Sequence, residues 1–576
     1  MKVLLVAINA KYIHSSLSIR DLKTYCDKLC IVDIRDYTVN EELQNIIADI
    51  YYAQPDIVGF SCYIWNIEGI LKIAGVLKKI LPNLIIIFGG PEVSFNSQEY
   101  IDKYKFIDTI ICGEGEATLK EFLEAFIKND SIVNIPGLSF RKAGKTYINP
   151  FRTSQPALDC IPFAYTKEDL KTLENKLIYY ESSRGCTFGC TYCLSGAGKH
   201  VRYLSPERVE HDIKLFIDSG IKQVKFVDRT FNLNKKHALY VWNSILTHFK
   251  PDINFHFEIA ADLLDKEILD FLATIPKGLF QFEVGVQSTN ENTLSIINRK
   301  SDIAKIKENV TKLIEKNNIH IHLDLIAGLP LETLKIFSES FNEVYTLQPH
   351  QLQLGFLKIL PGTKINGDVA KFGIVSATFP PYEVIQTSTL TFAELLTLKE
   401  IEKVVENFYN SSLFIYIFKY IFSRWDKGAF NFYKEFADFI LSKNTKETSI
   451  ISRAKNLYDF ISNCWPEDNE IQKQIIILDL LGNQKTFSLP EWLDFNREYV
   501  KHYTSEKLKN KEFISSYLPY DQGTNLRTLI KNILILPLDL KVMKVITNSE
   551  KDGIALFDYT KSDRLTGRAC VKLLVS

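Results

Sequence analysis

Two series of short apolar runs, separated by stretches of helical length, limit this chain to a narrow set of folds. The first series lies at 2–8 (KVLLVAI), 57–62 (IVGFSC), 84–88 (LIIIF) and 108–112 (DTIIC). The second lies at 177–182 (LIYYES), 222–228 (KQVKFVD), 253–259 (INFHFEI), 280–286 (FQFEVGV), 319–326 (IHIHLDLI) and 352–359 (LQLGFLKI). Buried strands alternating with helices predict parallel sheets covered by helices. The first series predicts a doubly wound α/β domain over residues 1–140, and the second a partial or full β/α barrel over 176–375. Between them, 141–175 contains Pro150, Pro156 and Pro162 and reads as a linker. From residue 376 the pattern changes. Segments 395–421 and 428–443 are helix-like with an aromatic, core-facing stripe, and 474–480 and 541–547 are strand-like. A mixed, mainly helical third domain is expected over 376–576.

A length of 576 residues suits three or four cores. The 69 basic residues balance 69 acidic ones, which leaves no overall electrostatic footprint for nucleic acid or anionic lipid. No apolar stretch is long enough to span a bilayer, and the N-terminal run lacks a cleavage site, so a cytoplasmic protein is expected. Three of the ten cysteines, Cys186, Cys190 and Cys193, fall in one short loop after a strand, and the other seven are scattered. Clustered thiols point to metal or redox chemistry rather than disulfides. Structural zinc takes four ligands in paired loops. Only His200 offers itself as a fourth here, and that reading stays open. Three thiolates at C-x3-C-x2-C spacing suit a 4Fe–4S cluster with one iron left open, and Gly185 and Gly189 let the loop fold tightly around it.

The run Ser183-Arg184-Gly185-Cys186-Thr187-Phe188-Gly189-Cys190-Thr191-Tyr192-Cys193, followed by β/α repeats, resembles the radical S-adenosylmethionine superfamily. The resemblance implies that the open iron chelates S-adenosylmethionine and that a 5′-deoxyadenosyl radical is produced. It places Tyr192 near the adenine and Asp228, in Asp228-Arg229-Thr230-Phe231-Asn232, at the amino group. Glu258, Gln287, Arg299 and Asp324 match positions that hold S-adenosylmethionine in the oxygen-independent coproporphyrinogen oxidase branch. Arg299 would then pair with the carboxylate, as a planar guanidinium does well. Taken singly, each of these residues also fits a salt bridge at a barrel rim.

Glycines follow the N-terminal strands at Gly89-Gly90-Pro91-Glu92 and Gly113-Glu114-Gly115-Glu116, where doubly wound sheets bind ligands; tight turns alone would also explain them. With Asn9–Ser16 and Ser61-Cys62-Tyr63-Ile64-Trp65-Asn66, they resemble the flavodoxin-like cobalamin-binding domain that precedes many radical S-adenosylmethionine enzymes. Ser61, Gly89, Gly90, Gly113, Glu114 and Gly115 are the implied cofactor residues. The Asp-x-His-x-x-Gly signature of His-ligated corrinoid proteins is absent; His14 reads as a turn histidine and Trp65 as either a packed aromatic or a corrin neighbour. The C-terminal third resembles a domain of unknown function that closes some cobalamin-dependent radical chains.

Together these resemblances imply a methyltransferase that uses the radical and methylcobalamin on an unactivated carbon or phosphorus. Its substrate would be a small molecule or peptide, its reductant a flavodoxin- or ferredoxin-type donor, and no catalytic side chain is singled out. A methylthiotransferase acting on tRNA or a ribosomal protein is a second reading. Its second cluster would draw on Cys26, Cys30, Cys62 and Cys112, which lack the expected glycine-flanked spacing. A non-catalytic corrinoid or redox sensor is the third.

Overall fold

The computed structural model describes residues 1–197, 200–443, 449–486, 488–521 and 523–575. Strands β1 (Lys2–Asn9), β2 (Ile31–Thr38), β3 (Ile57–Ser61), β4 (Ile85–Gly89) and β5 (Thr109–Ile111) pair in parallel, in the order β2-β1-β3-β4-β5. This is the flavodoxin-like order, whose ligand site lies at the β1/β3 switch point. The sheet continues past residue 140, because the antiparallel hairpin β6 (Leu138–Lys142) and β7 (Lys145–Ile148) extends it beyond β5. Ala7, Ser61, Gly89 and Ile111 are in register across four strands, so the following loops leave one edge together.

After β8 (Ile178–Tyr180), the short strands β9 (Ser183–Arg184) and β10 (Arg202–Tyr203) form their own ladder. Then come β11 (Gln223–Phe226), β12 (Asn254–Ile259), β13 (Phe280–Gln287), β14 (His320–Ala327) and β15 (Gln351–Phe356). β8 and β11–β15 form a sequentially ordered six-stranded parallel sheet, a partial barrel. Strand alternation divides its residues cleanly. Phe226, Phe255, Phe257, Phe280 and Phe282 are buried on the outer face, where Trp242 packs against Phe257, Phe271, Phe280 and Phe282. Lys225, His256, Glu258, Glu283, His322 and Asp324 take the alternate, inner positions. The end of β13 is anchored from behind: Ser288 Oγ donates to the fully buried Glu332 at 2.6 Å, and Thr289 N donates to Ser340 Oγ at 3.0 Å.

Loops at the carboxyl edge of the first sheet reach the loops after both outermost barrel strands, β8 and β15. Glu114 and Glu116 meet Arg184, the Tyr382 hydroxyl donates to Glu92, and a Cβ on Gly362 would strike the Phe95 ring. Tyr382 precedes β17 (Val384–Gln386), which pairs with β16 (Val375–Ser376).

The C-terminal region is mostly helical and ends in an antiparallel sheet of β18 (Ile533–Leu538), β19 (Gly553–Ser562) and β20 (Ala569–Val575). The strand-like runs at 474–480 and 541–547 lie instead in helices Asn469–Asn483 and Leu540–Thr547. Ile475 to Leu481 are all buried, and a helix buried on every side reads as a continuous apolar run, as a buried strand does. The buried pair Arg568–Asp479, at 3.0 Å, joins the turn before β20 to that helix. Asp479 also accepts from Tyr416 N and Ile417 N, starting the helix Ile415–Arg424. Among the described residues no helix is long and apolar enough to cross a membrane.

Two measurements of stability follow. Arg568→Met leaves the Asp479 carboxylate buried without its cation, a loss of about 3–5 kcal/mol. Lys335→Met, at an exposed pair, is expected to leave the melting temperature unchanged. Burial pushes Glu332 up to about 8, so the folded chain keeps a proton that the unfolded chain releases near 4.5. Stability should therefore decline as pH rises between these two values. Glu332→Gln should flatten that slope in urea melts across the same range.

Candidate active site

The cysteine loop is held from several sides. Below it, Asp228 accepts from Ser182 N at 3.0 Å, Ser182 Oγ at 2.7 Å and Ser183 Oγ at 2.5 Å. A Cβ on Gly185, at φ +112°, would run into the His200 carbonyl. Further along, Thr191 N donates to Ile297 O at 2.9 Å, Ile365 N to Thr191 O at 3.0 Å, and Asn298 Nδ2 to Gly189 O at 2.8 Å. Cys186 and Cys190 are buried, Cys193 is half-buried, and all three are free thiols. Burial raises the Cys190 thiol, with Arg299 Nη1 3.9 Å from its sulfur opposing that shift. Among the described residues no three His, Cys, Asp or Glu side chains converge as a single metal-ion site. Thiolates on a cluster bind separate irons, so three cysteines on one tightly folded loop suit a cluster as a donor set.

Beside the loop lies a cavity of about 200 Å³. It gathers Glu258, Gln287, Arg299 and Asp324 from three strand ends and the turn after the helix Glu291–Ile296. Gly285 is needed here: a Cβ would occupy the place of the Gln287 amide, and the Gly285 carbonyl accepts from Arg299 Nη2. Tyr192 does not line the cavity but backs it, its hydroxyl 3.4 Å from Arg299 Nη1. Gln287 Oε1 and Arg299 Nε are buried without hydrogen-bond partners. His322 Nε2 is ion-paired with Asp324 Oδ1 at 2.9 Å. Burial, reinforced by Glu283, pushes Glu258 up to about 7, and burial also raises Asp324. Burial would raise Glu283 too, but His256 and Lys225 outweigh it and hold this carboxyl well below the usual range. A cation, an unpartnered amide oxygen and carboxylates at one end of a polar cavity fit a zwitterionic amino acid group.

Two sequence-based assignments change. Asp228 is fully buried and does not line the cavity; its oxygens are engaged by Ser182 and Ser183, and burial pushes it up to about 6. It positions the loop, while its neighbours Arg229 and Thr230 reach the cavity. Glu114 is held by Arg184 at 2.8 Å and by Arg202, so its carboxylate faces the barrel domain. Glu283, Lys300 and Arg229 line the cavity without having been singled out. For Glu283 the signal was present, as the alternating FQFEVGVQ pattern sets it on the same face as Gln287.

At the edge of the first sheet, Gly90 adopts φ +109°, where a Cβ would lie 2.5 Å from the Cys62 carbonyl. Gly113 has φ +81°. Gly89 differs: a Cβ there would meet only ordinary contacts with Ile111, the nearest at 3.6 Å, so neither crowding nor backbone conformation demands glycine at that strand end. Gly115 packs on Leu22, and Ser61 Oγ is 3.2 Å from Ser18 Oγ. Around this edge Tyr12, Ile13, Trp65 and Phe95 are exposed, and Trp65 stacks on Tyr63 at 4.3 Å. An exposed apolar rim around small residues fits a large flat ligand such as a corrin. His14 is bonded to the Tyr179 hydroxyl and stacked on its ring. Cys26, Cys62 and Cys112 are buried among apolar residues, and burial pushes Cys26 to about 12.

Residues 3–123 match the B12 binding domain, 180–344 the radical SAM superfamily, and 370–557 a protein family of unknown function, DUF4080. The cobalamin-dependent radical SAM methyltransferase TokK of Streptomyces tokunonensis is 25% identical, over 54% of this chain and 48% of its own. The 2-(S-pantetheinyl)-carbapenam-3-carboxylate methyltransferase of Streptantibioticus cattleyicolor is 23% identical over 71% and 65% of the two chains. The chain thus spans about half of the first relative and just under two thirds of the second. The solved structure of OxsB, a cobalamin-dependent S-adenosylmethionine radical enzyme with aqua-cobalamin and S-adenosylmethionine bound, superposes with a TM-score of 0.56 at 17% identity. That superposition covers 83% of this chain and 79% of OxsB and shows a shared fold. The chain thus carries a radical SAM superfamily domain between a B12 binding domain and a DUF4080 domain.

Proposed function

We propose that this chain is a cobalamin-dependent radical S-adenosylmethionine methyltransferase acting on a small molecule or peptide. One observation carries the reading. Three free thiols and a polar cavity with two unpartnered buried atoms lie at one end of the barrel, and the glycine edge of the B12 binding domain is docked against that same end.

When bound, the cluster and S-adenosylmethionine supply the 5′-deoxyadenosyl radical, and cobalamin supplies the methyl group. The protein's part is to hold and orient. Cys186, Cys190 and Cys193 hold the cluster, and Tyr192 flanks the adenine. Arg299 offers its free Nε–H to the carboxylate. Asp324 and Gln287 Oε1 are acceptors for the amino and ribose groups, joined by Glu258. Ser61, Gly89, Gly90, Gly113 and Gly115 would border the corrin. The docked loops cover the space between the two sites and limit water, which protects a radical from quenching. The donor of electrons is of flavodoxin or ferredoxin type. The zero net charge fits a small metabolite better than a nucleic acid.

Anaerobic reconstitution tests the reading. Wild-type chain should bind about four irons, bind cobalamin, and convert S-adenosylmethionine to 5′-deoxyadenosine under a strong reductant. Cys186→Ala, Cys190→Ala and Cys193→Ala should each lose the cluster and the product. Full iron content in all three variants would contradict the assignment, and about eight irons in the wild type would favour a methylthiotransferase.

A further inference from the structure

The loop that carries the three cysteines follows β9, and the pairing of β9 with β10 places Arg184 directly opposite Arg202. Like charges directly opposite each other on an antiparallel ladder repel. Within the barrel domain, one carboxylate answers them: Glu181, 2.7 Å from Arg184. The others come from the B12 binding domain. Glu114 bridges the two arginines, meeting Arg184 at 2.8 Å and Arg202 through its second oxygen, and Glu116 meets Arg184 at 2.8 Å. Arg202 also donates to Pro156 O at 2.6 Å. Buried Asp21 and Arg208 face the same group. Burial alone would raise the Glu114 carboxyl, but Arg184 and Arg202 outweigh it and hold it ionised.

Both carboxylates flank Gly115, in the glycine loop that borders the proposed corrin site. When the domains are docked, three carboxylates surround the two arginines and more than offset their repulsion. Without Glu114 and Glu116, two facing arginines would share one carboxylate at the neck of the cluster loop.

We propose that Glu114 and Glu116 are positioning residues that close the cluster loop from the cobalamin loop, so that the two cofactor sites are energetically coupled. This rests on the cofactor assignment above. A corrin that orders residues 113–116 fixes the carboxylates that close the cysteine loop. By linkage, a bound cluster must then tighten cobalamin binding by the same factor.

The test is the dissociation constant of hydroxocobalamin for the full chain, measured with and without the reconstituted cluster. In the wild type the cluster should tighten binding about tenfold. In the Glu114→Gln, Glu116→Gln double variant the two constants should agree. Glu114→Gln alone, which keeps the Glu116–Arg184 pair, should lower the ratio at least about threefold and serves if the double variant does not fold. A merely structural dock would weaken both constants alike and leave the ratio at its wild-type value, which would overturn the coupling. A wild-type ratio of one, with both cofactors bound, overturns it as well. Failure of the wild type to take up cluster or cobalamin would instead overturn the cofactor assignment, and the coupling with it.

Discussion

A partial barrel whose inner face is polar must compensate a row of charges held largely out of water. Lys225, His256, Glu258, Glu283, His322 and Asp324 occupy successive inner positions across four strands. Part of the compensation is internal, since Glu283 is 3.0 Å from both Lys225 and His256. Part comes from the opposite face, where phenylalanines at the alternate positions pack with Trp242 and the covering helices. At the carboxyl end the compensation stops, and Gln287 and Arg299 each keep a buried atom without a partner. Such atoms are stabilised when a ligand supplies the missing hydrogen bonds. Stability and binding are therefore set by the same alternation of side chains.

The second half of the site depends on docking. The flavodoxin-like sheet delivers its glycine loops at one edge, and those loops reach the ends of β8 and β15, the two margins of the open barrel. Neither sheet alone encloses a space between two cofactors. The residues immediately before the cluster loop belong to this junction, as Arg184 binds Glu114 and Glu116 while Ser182 and Ser183 are fastened to Asp228. Charge placement at the neck of a loop thus does structural work that distance from the chemistry would not suggest.

Most of this was legible in the sequence where local chemistry decides the outcome. Cysteine spacing marked a tightly held loop of three free thiols, the apolar runs marked both parallel sheets, and Gly90 and Gly113 marked turns that need positive φ. What was not legible depends on which way a side chain faces after the chain has folded. Asp228 sits at a strand end, as a ligand residue would, yet points under the cysteine loop. Glu114 lies in a cofactor-like loop, yet its partners are arginines more than sixty residues away. In the C-terminal region, QIIILDL carries no period because its helix is covered on all sides, so strand and helix were indistinguishable.

The central claim is that three cysteines hold a cluster whose open iron is chelated by S-adenosylmethionine inside the cavity of Arg299, Gln287 and Asp324. Electron–nuclear double resonance on the reduced, reconstituted chain tests it most directly, using S-adenosylmethionine isotopically labelled at the amino nitrogen and the carboxylate oxygens. The account predicts hyperfine coupling of both labels to the cluster spin. A cluster spectrum that shows neither coupling with S-adenosylmethionine at saturation would contradict it.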